Sequence, residues 1–236
     1  MSNTDNLRRM VVDYIKLTAN VLNIDENEIY KFLNDYAFLY GALALLASSI
    51  RFNATPDELE SLINHLIMRI IAVSNFINER ANVLDIGCGF GYLGKIIVVE
   101  KKGTYVGLDN DPKKIEIANA LGKTFGLGEK YKIIQVSEET PIELPFKENS
   151  FDVVTFIWSI HDIKREIQEE YLKEIARMLK NNRKLLIYDR EIIVRDDQLR
   201  SLINKYGFKL LRTHSFGTVI HKAKVNAILA IYKKSK

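Results

Sequence analysis

The sequence of 236 residues has a single cysteine, few prolines and no apolar run long enough to cross a membrane. Because Cys88 is the only cysteine, no disulfide can form within the chain. The first residues lack the basic and apolar regions of a secretory signal. The longest uncharged run, Tyr36 to Ile50, has 15 residues, whereas a membrane-spanning helix needs about 20. These absences favour a cytoplasmic protein without a membrane span.

Acidic residues are scarce towards the end of the chain. The whole sequence carries a net charge of +4, with 47% apolar and 27% charged residues, which is typical of a globular protein. Residues 181–236 hold 13 basic and 4 acidic side chains, a net charge of +9. Such a segment can contact RNA or an acidic surface. The simpler interpretation is that lysines and arginines keep outer strands and helix faces soluble, because no arginine-rich cluster interleaved with aromatic residues is present.

Residues 1–80 are predicted to form a helical cap or extension. Apolar residues recur at helical spacing between Leu7 and Ile15, Asp25 can cap a second helix, and Thr55 is placed to cap a third. The uncharged run from Tyr36 to Ile50 lies in the second of these helices. It is interpreted as a buried face, with a pocket lining or a dimer contact as alternatives, and the sequence leaves the oligomeric state open.

Residues 81–236 are predicted to form an α/β domain, because strand patterns alternate with helix patterns from residue 82 onwards. The last two strands have no helical pattern between them. The expected fold is a seven-stranded, mostly parallel sheet with an antiparallel edge hairpin and helices on both faces. Its strands are predicted at Asn82–Ile86, Thr104–Leu108, Tyr131–Val136, Phe151–Ile157, Lys184–Tyr188, Phe208–His214 and Val225–Tyr232.

A glycine-rich turn follows the first strand, within the stretch from Val83 to Gly94. Ligands bind at the carboxyl ends of the strands in sheets of this kind. The third glycine, Gly91, comes one residue earlier than the dinucleotide fingerprint requires. Asp85 would repel a pyrophosphate but suits an ammonium or sulfonium group, and Asp109 at the end of the second strand suits the hydroxyls of a ribose. A nucleoside with a positive, phosphate-free tail is the ligand that these residues predict.

Four stretches in order carry a family resemblance: Val83-Leu-Asp-Ile-Gly-Cys-Gly-Phe-Gly, Tyr105-Val-Gly-Leu-Asp-Asn-Asp-Pro, Leu144-Pro-Phe-Lys-Glu-Asn-Ser-Phe-Asp-Val-Val and Tyr171-Leu-Lys-Glu-Ile-Ala-Arg-Met-Leu-Lys. Over residues 80–236 the chain thereby resembles a class I (Rossmann-like) S-adenosylmethionine-dependent methyltransferase. The resemblance implies S-adenosylmethionine as cofactor and S-adenosylhomocysteine as product.

The same resemblance implies roles for individual residues. Asp85, Gly87 and Gly89 would hold the methionine part of the cofactor, and Asp109 its ribose. Asn110 stands where the family usually has an apolar residue against adenine, and Glu138 or Glu139 lies near the position of an acidic residue that contacts the adenine amino group. The predicted cofactor-binding set is Asp85, Gly87, Cys88, Gly89, Gly91, Asp109, Asn110, Glu138 and Trp158, with no metal ligands. Cys88 is interpreted as a small residue in a crowded turn and not as a nucleophile.

Methyl transfer from a sulfonium requires alignment more than covalent help, because the leaving group is already activated. A base is needed only if the acceptor is a hydroxyl or a protonated amine, and His161 and Asp162 are the candidate catalytic residues. The alternative is structural, since Ser159 and Asp162 have spacing similar to a capping box. Trp158 is a candidate for lining the acceptor pocket, or else a core residue.

The resemblance and the helical cap together favour methyl transfer to an oxygen or nitrogen atom of a small or medium-sized metabolite. The chain lacks the Asn-Pro-Pro-Tyr segment that marks methylation of planar amide or exocyclic amino nitrogens in the family, having Ile157-Trp-Ser-Ile-His in its place. An RNA or protein methyltransferase that uses the basic C-terminal segment is one alternative. A binding module that retains the cofactor site without turnover is the other.

Overall fold

The computed structural model describes residues 69–70, 72–137, 143–220 and 223–235, with the backbone alone for 121, 124, 217–220 and 223–225. The predicted helices of residues 1–68, together with Glu138 and Glu139, lie outside the described residues. The division of the chain near residue 80 and a dimer through the N-terminal helices therefore stay predictions. None of the helices in the described ranges is long and apolar enough to cross a membrane.

Within the described ranges, seven strands form one sheet in the order β3-β2-β1-β4-β5-β7-β6. Neighbouring strands from β3 through β5 pair in parallel, and β5 pairs with β7 in antiparallel fashion. The predicted fold, a mostly parallel sheet with an antiparallel edge, is confirmed. The strands are β1 Asn82–Ile86, β2 Thr104–Asp109, β3 Tyr131–Gln135, β4 Phe151–Ile157, β5 Leu179–Arg190, β6 Phe208–Ile220 and β7 Ala223–Lys234.

In the described part of the chain, helices follow β1, β2, β4 and β5. The α-helices within the described residues that follow β1 are α1 Tyr92–Lys95, α2 Pro112–Thr124, α3 Arg165–Met178, α4 Glu191–Val194 and α5 Asp197–Lys205. The helix predicted from Tyr92 to Lys101 continues beyond α1 as a π-helical turn over Ile96–Glu100. The amide of Lys101 there donates to the carbonyl of Ile96 at 3.0 Å.

Strand β5 begins five residues before its predicted start at Lys184. Phe151 pairs with Leu179, but Val153 pairs with Lys184, so β5 bulges between these two positions. Asn182 lies in the bulge with a φ of 62°, a backbone conformation that asparagine tolerates better than most residues. The turn predicted at Asn181 and Asn182 is therefore a bulge within a strand, because neighbouring strands pair with the chain on both sides of it.

The central strands are buried on both faces. Val153, Val154 and Phe156 of β4 are at most 4% exposed, as expected for a strand read as an almost continuous apolar run. The segment before β1 also packs here, since Val73 and Ile77 are buried and Lys184 donates from Nζ to the carbonyl of Phe76 at 2.9 Å. Residues 73–77 therefore contribute to the core of the sheet domain.

Tyr131 occupies a space that three glycines leave open. A Cβ atom on Gly91 would overlap the Tyr131 hydroxyl, and a Cβ on Gly94 or Gly122 would overlap its ring. The hydroxyl donates towards the carbonyl of Ala118 at 3.2 Å, and the ring stacks on Tyr105 with centroids 5.4 Å apart. One buried tyrosine thus fastens α1 and α2 to the sheet next to the glycine-rich turn.

We expect Gly94→Ala to destabilise the protein by about 1–3 kcal/mol, because the added methyl group would force the rings of Tyr105 and Tyr131 apart. Alanine has a higher helix propensity than glycine, so without this steric conflict the substitution would stabilise α1. A loss of stability therefore reports the packing against the two rings. Chemical denaturation would measure it. Asn119→Ala on the exposed face of α2 is the control, and it should change stability by no more than about 0.5 kcal/mol. A stabilising Gly94→Ala would show that the two rings can move aside.

Candidate active site

The carboxyl ends of β1, β2, β4 and β5 meet at one edge of the sheet, because these four strands are parallel. The segments that leave this edge contain the residues selected from the sequence. Asp85 belongs to β1, the glycine loop Gly87–Gly91 follows it, Asp109 ends β2, and His161 and Asp162 follow β4. The topology therefore gathers the predicted site at a single edge.

The glycine loop is held to the end of β2 through its own backbone. The amides of Gly87 and Cys88 both donate to the carbonyl of Leu108, at 2.8 and 2.9 Å. The amide of Gly89 donates to Oδ2 of Asp109 at 2.7 Å. A Cβ atom on Gly89 would meet nothing within 4 Å, so this part of the loop faces open space. The loop thus offers backbone to a ligand at Gly89.

Asp109 is 6% exposed and both of its carboxylate oxygens accept from backbone amides. Oδ2 accepts from Gly89 and Oδ1 accepts from Asp111 at 3.0 Å. Because each carboxylate oxygen has two lone pairs, both can still accept a further hydrogen bond. Asp109 can therefore orient the loop and receive the hydroxyls of a ribose at the same time.

Asp85 is a buried carboxyl, 3% exposed. Its oxygens accept from the hydroxyls of Tyr105 and Thr155, at 2.8 and 2.6 Å. Burial raises the pKa of Asp85 to about 6, against the opposing effect of the two hydroxyls. A nearby cation would stabilise its charged form. These properties fit the ammonium group of a bound ligand.

Arg69 is a functional candidate that the sequence reasoning missed. Its charge interacts with Asp85 and Asp189, and its Nε atom is buried without a hydrogen-bond partner among the described residues. Burial lowers the pKa of the guanidinium to about 10. Its sequence neighbourhood is an ordinary amphipathic pattern, so no local signal distinguishes this arginine from one on the surface.

Trp158 turns the chain sharply where β4 ends. Its φ of 57° lies in the left-handed region, which costs a residue with a large side chain about 1–2 kcal/mol. Its amide donates to the carbonyl of Tyr188 at 2.7 Å, and its ring packs edge-on to His161 with centroids 5.7 Å apart. Strained backbone of this kind clusters at functional sites. The indole therefore lies beside the candidate base.

The predicted structural role of Ser159 as a helix cap is wrong. Ser159 precedes a short 3₁₀ turn, Ile160–Asp162, but makes no side-chain capping hydrogen bond. Its hydroxyl donates to the carbonyl of Ile86 at 2.7 Å, and a Cβ atom on Gly87 would overlap the Ser159 side chain. Ser159 therefore joins the ends of β1 and β4, and Gly87 is needed for this close approach.

His161 lies between two carboxylates of very different exposure. Its Nδ1 atom is 2.8 Å from Oδ2 of Asp189, and its Nε2 atom is 3.3 Å from Oδ1 of Asp162. The side chain of Asp189 is 0% exposed and that of Asp162 is 80% exposed. The two predicted catalytic residues, His161 and Asp162, are thus in contact with each other. Asp189 contacts His161 at its other ring nitrogen. A signal for Asp189 was present, because it follows an apolar strand at the same edge as Asp109.

The other predicted site residues have less distinctive surroundings. Burial raises the pKa of the Cys88 thiol well above its usual value, in agreement with a packing role and not a nucleophilic one. Gly91 leaves room for the hydroxyl of Tyr131, which explains the glycine at this position. Asn110 is exposed and follows Asp109 in the sequence. Within the described part of the chain, no three His, Cys, Asp or Glu residues are grouped so as to hold a metal ion. The roles of Cys88, Gly91, Asn110 and Glu138 towards a cofactor stay predictions.

Residues 84–187 match the family model described as a methyltransferase domain. Residues 84–187 are therefore similar to methyltransferase domains, and the sheet has the fold of a solved S-adenosylmethionine-dependent methyltransferase. The site fits S-adenosylmethionine, the cofactor that the resemblance implies, with Gly89 open to a ligand and Asp85 suited to an ammonium group.

Known proteins of similar sequence and fold carry this domain. A chloroplastic 2-phytyl-1,4-beta-naphthoquinone methyltransferase of Arabidopsis thaliana is 27% identical over 68% of this chain and 59% of its own length. A sterol 24-C-methyltransferase of Pneumocystis carinii is 36% identical over 47% of this chain and 28% of its own. The chain therefore spans less than two thirds of either relative. A TehB-like S-adenosylmethionine-dependent methyltransferase from Corynebacterium glutamicum shares the fold, with a TM-score of 0.55, 15% identity, and coverage of 71% of this chain and 87% of that one.

We expect Gly89→Ala to weaken binding of S-adenosylhomocysteine to the methyltransferase domain at least tenfold, since the methyl group would project into the open space of the loop. Gly126→Ala is a matched control, because both glycines have similar φ values, 55° and 59°, with nothing within 4 Å of an added Cβ. Both variants should lose about 1–2 kcal/mol of stability from backbone strain. Calorimetric titration would measure affinity, and equal affinities in the two variants would contradict a ligand at Gly89.

The raised pKa of Asp85 predicts a pH-dependent affinity for the cofactor. Pairing with the cofactor ammonium requires the carboxylate, but below a pKa of about 6 the free domain holds this group protonated. Binding must then release a proton, so affinity should fall roughly tenfold for each pH unit below about 6 and stay level above it. Titration calorimetry between pH 5 and 8 would measure this profile.

The variant Asp85→Asn should bind the cofactor weakly at every pH and lose the dependence, because its side chain does not ionise. Asp152→Asn is the control, since Asp152 lies near the opposite end of β4 and pairs with Lys180 at 3.1 Å and Arg183 at 3.2 Å. This control should keep the wild-type profile. If the wild-type affinity for the cofactor stays constant down to pH 5, Asp85 does not pair with the cofactor ammonium.

Proposed function

We propose that the protein transfers the methyl group of S-adenosylmethionine to an oxygen or nitrogen atom of a small or medium-sized metabolite. The observation that carries this proposal is the contact between His161 and the buried Asp189 at the edge of the sheet that holds the glycine loop. It supports the proposal, because His161 follows β4 at the edge of the sheet where β1 leads into the glycine loop. The naphthoquinone and sterol methyltransferases similar to this chain are also named for small molecules.

In this proposal, Asp85, Gly87 and Gly89 hold the methionine part of the cofactor, and Asp109 receives the ribose. Cys88 and Gly91 shape the loop, and Asn110, Glu138 and Trp158 complete the cofactor surroundings. When bound, S-adenosylmethionine supplies a methyl group already activated by the sulfonium. The protein contributes alignment of the acceptor and exclusion of water.

His161 removes a proton from the acceptor in this proposal, and Trp158 lines the acceptor pocket with its indole. The His161 side chain is 10% exposed, so it can be reached from solvent while its ring stays packed. A hydroxyl loses its proton as the bond to carbon forms, whereas an ammonium group must lose a proton first to free the lone pair that attacks. A base in contact with either group lowers the barrier. Asp162, which is exposed, faces the nitrogen that a substrate would approach.

A second candidate function, methyl transfer to RNA or protein, is motivated by the net charge of +9 in residues 181–236. The structure favours it less, because several of these basic side chains already have local partners. The pairs and their distances are Arg183 with Asp152 at 3.2 Å, Arg195 with Glu191 at 2.7 Å, and Lys205 with Glu169 at 2.6 Å. A cytoplasmic location and a dimer through the N-terminal helices belong to the proposal as well.

Methyl-labelled S-adenosylmethionine would test the function. The full chain is incubated with the labelled cofactor and, separately, with the small-molecule, RNA and protein fractions of a cell extract. We expect label in the small-molecule fraction, with Gly89→Ala losing transfer and Gly126→Ala retaining it. Label in RNA or protein alone would favour the second candidate. Binding of S-adenosylhomocysteine without transfer to any fraction would contradict an enzyme and favour a binding module.

A further inference from the structure

Asp189 is held in a single orientation by its own surroundings. Its side chain is fully buried, and the residue pairs with Ile228 of β7 near the end of the antiparallel ladder. Oδ1 accepts from the backbone amide of Arg190 at 2.7 Å, and the Arg190 guanidinium lies 4.0 Å from the same oxygen. Oδ2 is thereby directed at Nδ1 of His161, 2.8 Å away.

The two nitrogens of His161 are consequently not equivalent. A carboxylate can only accept a hydrogen bond, so contact with the buried Asp189 requires a proton on Nδ1. Asp162 on the Nε2 side is 80% exposed and can move into solvent without leaving a buried charge behind. The neutral ring then has its free lone pair on Nε2, on the side of the exposed Asp162.

We propose that Asp189 is a positioning residue that holds His161 as the Nδ1–H tautomer, so that Nε2 is the base for a methyl acceptor that must lose a proton. The inference rests on the proposed function and narrows it to acceptors with a hydroxyl or an ammonium group. An acceptor atom that carries no proton gains nothing from this arrangement.

The proton balance of the step follows from this arrangement. The acceptor displaces the Asp162 carboxylate from Nε2 and passes its proton to that nitrogen. The acceptor lone pair forms the bond to the methyl carbon, and the electron pair of the carbon–sulfur bond goes to sulfur. The imidazolium that results lies between Asp189 and Asp162, which stabilise its charge, and it returns the proton to solvent on the exposed side.

Asparagine at position 189 would reverse the tautomer. Its single carbonyl oxygen can accept from only one side, so if that oxygen keeps the Arg190 amide, its NH₂ group faces His161. Nδ1 must then accept, and the proton moves to Nε2, where it blocks the base. Asp189→Asn thus changes the position of one proton while nearly preserving shape, which separates positioning from packing.

The test combines three measurements on the full chain with S-adenosylhomocysteine bound. Nitrogen-detected NMR reports the histidine tautomers, and His161→Gln identifies the His161 signal among the four histidines. We expect Nδ1–H in the wild type and Nε2–H in Asp189→Asn. Carbethoxylation of His161 by diethyl pyrocarbonate, read by peptide mass spectrometry, should slow at least tenfold in Asp189→Asn. Asp152→Asn is the control and should match the wild type in both.

The third measurement is turnover, with the small-molecule fraction that accepts the labelled methyl group as the substrate. Asp189→Asn should lower kcat roughly 10²–10⁴-fold with little change in KM for S-adenosylmethionine. An Nε2–H tautomer in the wild type would overturn the inference even if the variant does not fold. An unchanged kcat in a folded Asp189→Asn would also overturn it while leaving the proposed function intact. Absence of methyl transfer in the wild type would instead contradict the proposed function.

Discussion

The parallel pairing of β1 with both of its neighbours is the constraint on which the rest of the structure depends. Asp85 lies opposite Gly107 of β2 and opposite Thr155 of β4 in this register. The pairing places the Thr155 hydroxyl against one oxygen of Asp85 and brings the ends of β1 and β2 together. The glycine loop can then donate two amides to Leu108. A shift of one residue would turn these side chains to the other face and separate the site.

Three buried carboxyl groups at this edge have different partners, and the partners indicate different roles. Asp109 accepts from two backbone amides, which satisfy its charge within the protein. Asp189 accepts from one amide and from His161, so its charge acts on the imidazole. Asp85 has hydroxyl partners, and burial raises its pKa to about 6. Burying a charge is costly without a partner, and Asp85 is the group that a cationic ligand would benefit most.

The glycine-rich turn serves both packing and ligand approach. Gly87 makes room for Ser159, and Gly91 makes room for the hydroxyl of Tyr131, so these two are required by neighbouring side chains. Gly89 has no such neighbour and faces open space. The motif therefore combines a rigid support with one position where backbone can meet a cofactor. This division explains why a third glycine one residue early is compatible with a nucleoside site.

The sequence by itself determined the order of the strands along the chain, the position of the glycine-rich turn, and the acidic residues at the ends of β1 and β2. These features follow from local patterns of apolar residues, glycines and charges, which neighbouring residues suffice to define. The exact limits of β1 and β4 were predicted because both are short, mostly apolar runs. The limits of β5 were not, because the bulge at Asn182 is stabilised by strands distant in the chain.

Only the tertiary structure decided which selected residues act together. His161 and Asp189 are 28 positions apart and meet because β4 and β5 are parallel neighbours. The Tyr131 hydroxyl contacts the carbonyl of Gly91 across 40 positions, which gives that glycine a packing role. The Ser159 hydroxyl bonds to Ile86 across 73 positions, so its capping pattern was misleading. Such contacts depend on strand order and register, and these are set by the packing of the whole domain and not by any local stretch of sequence.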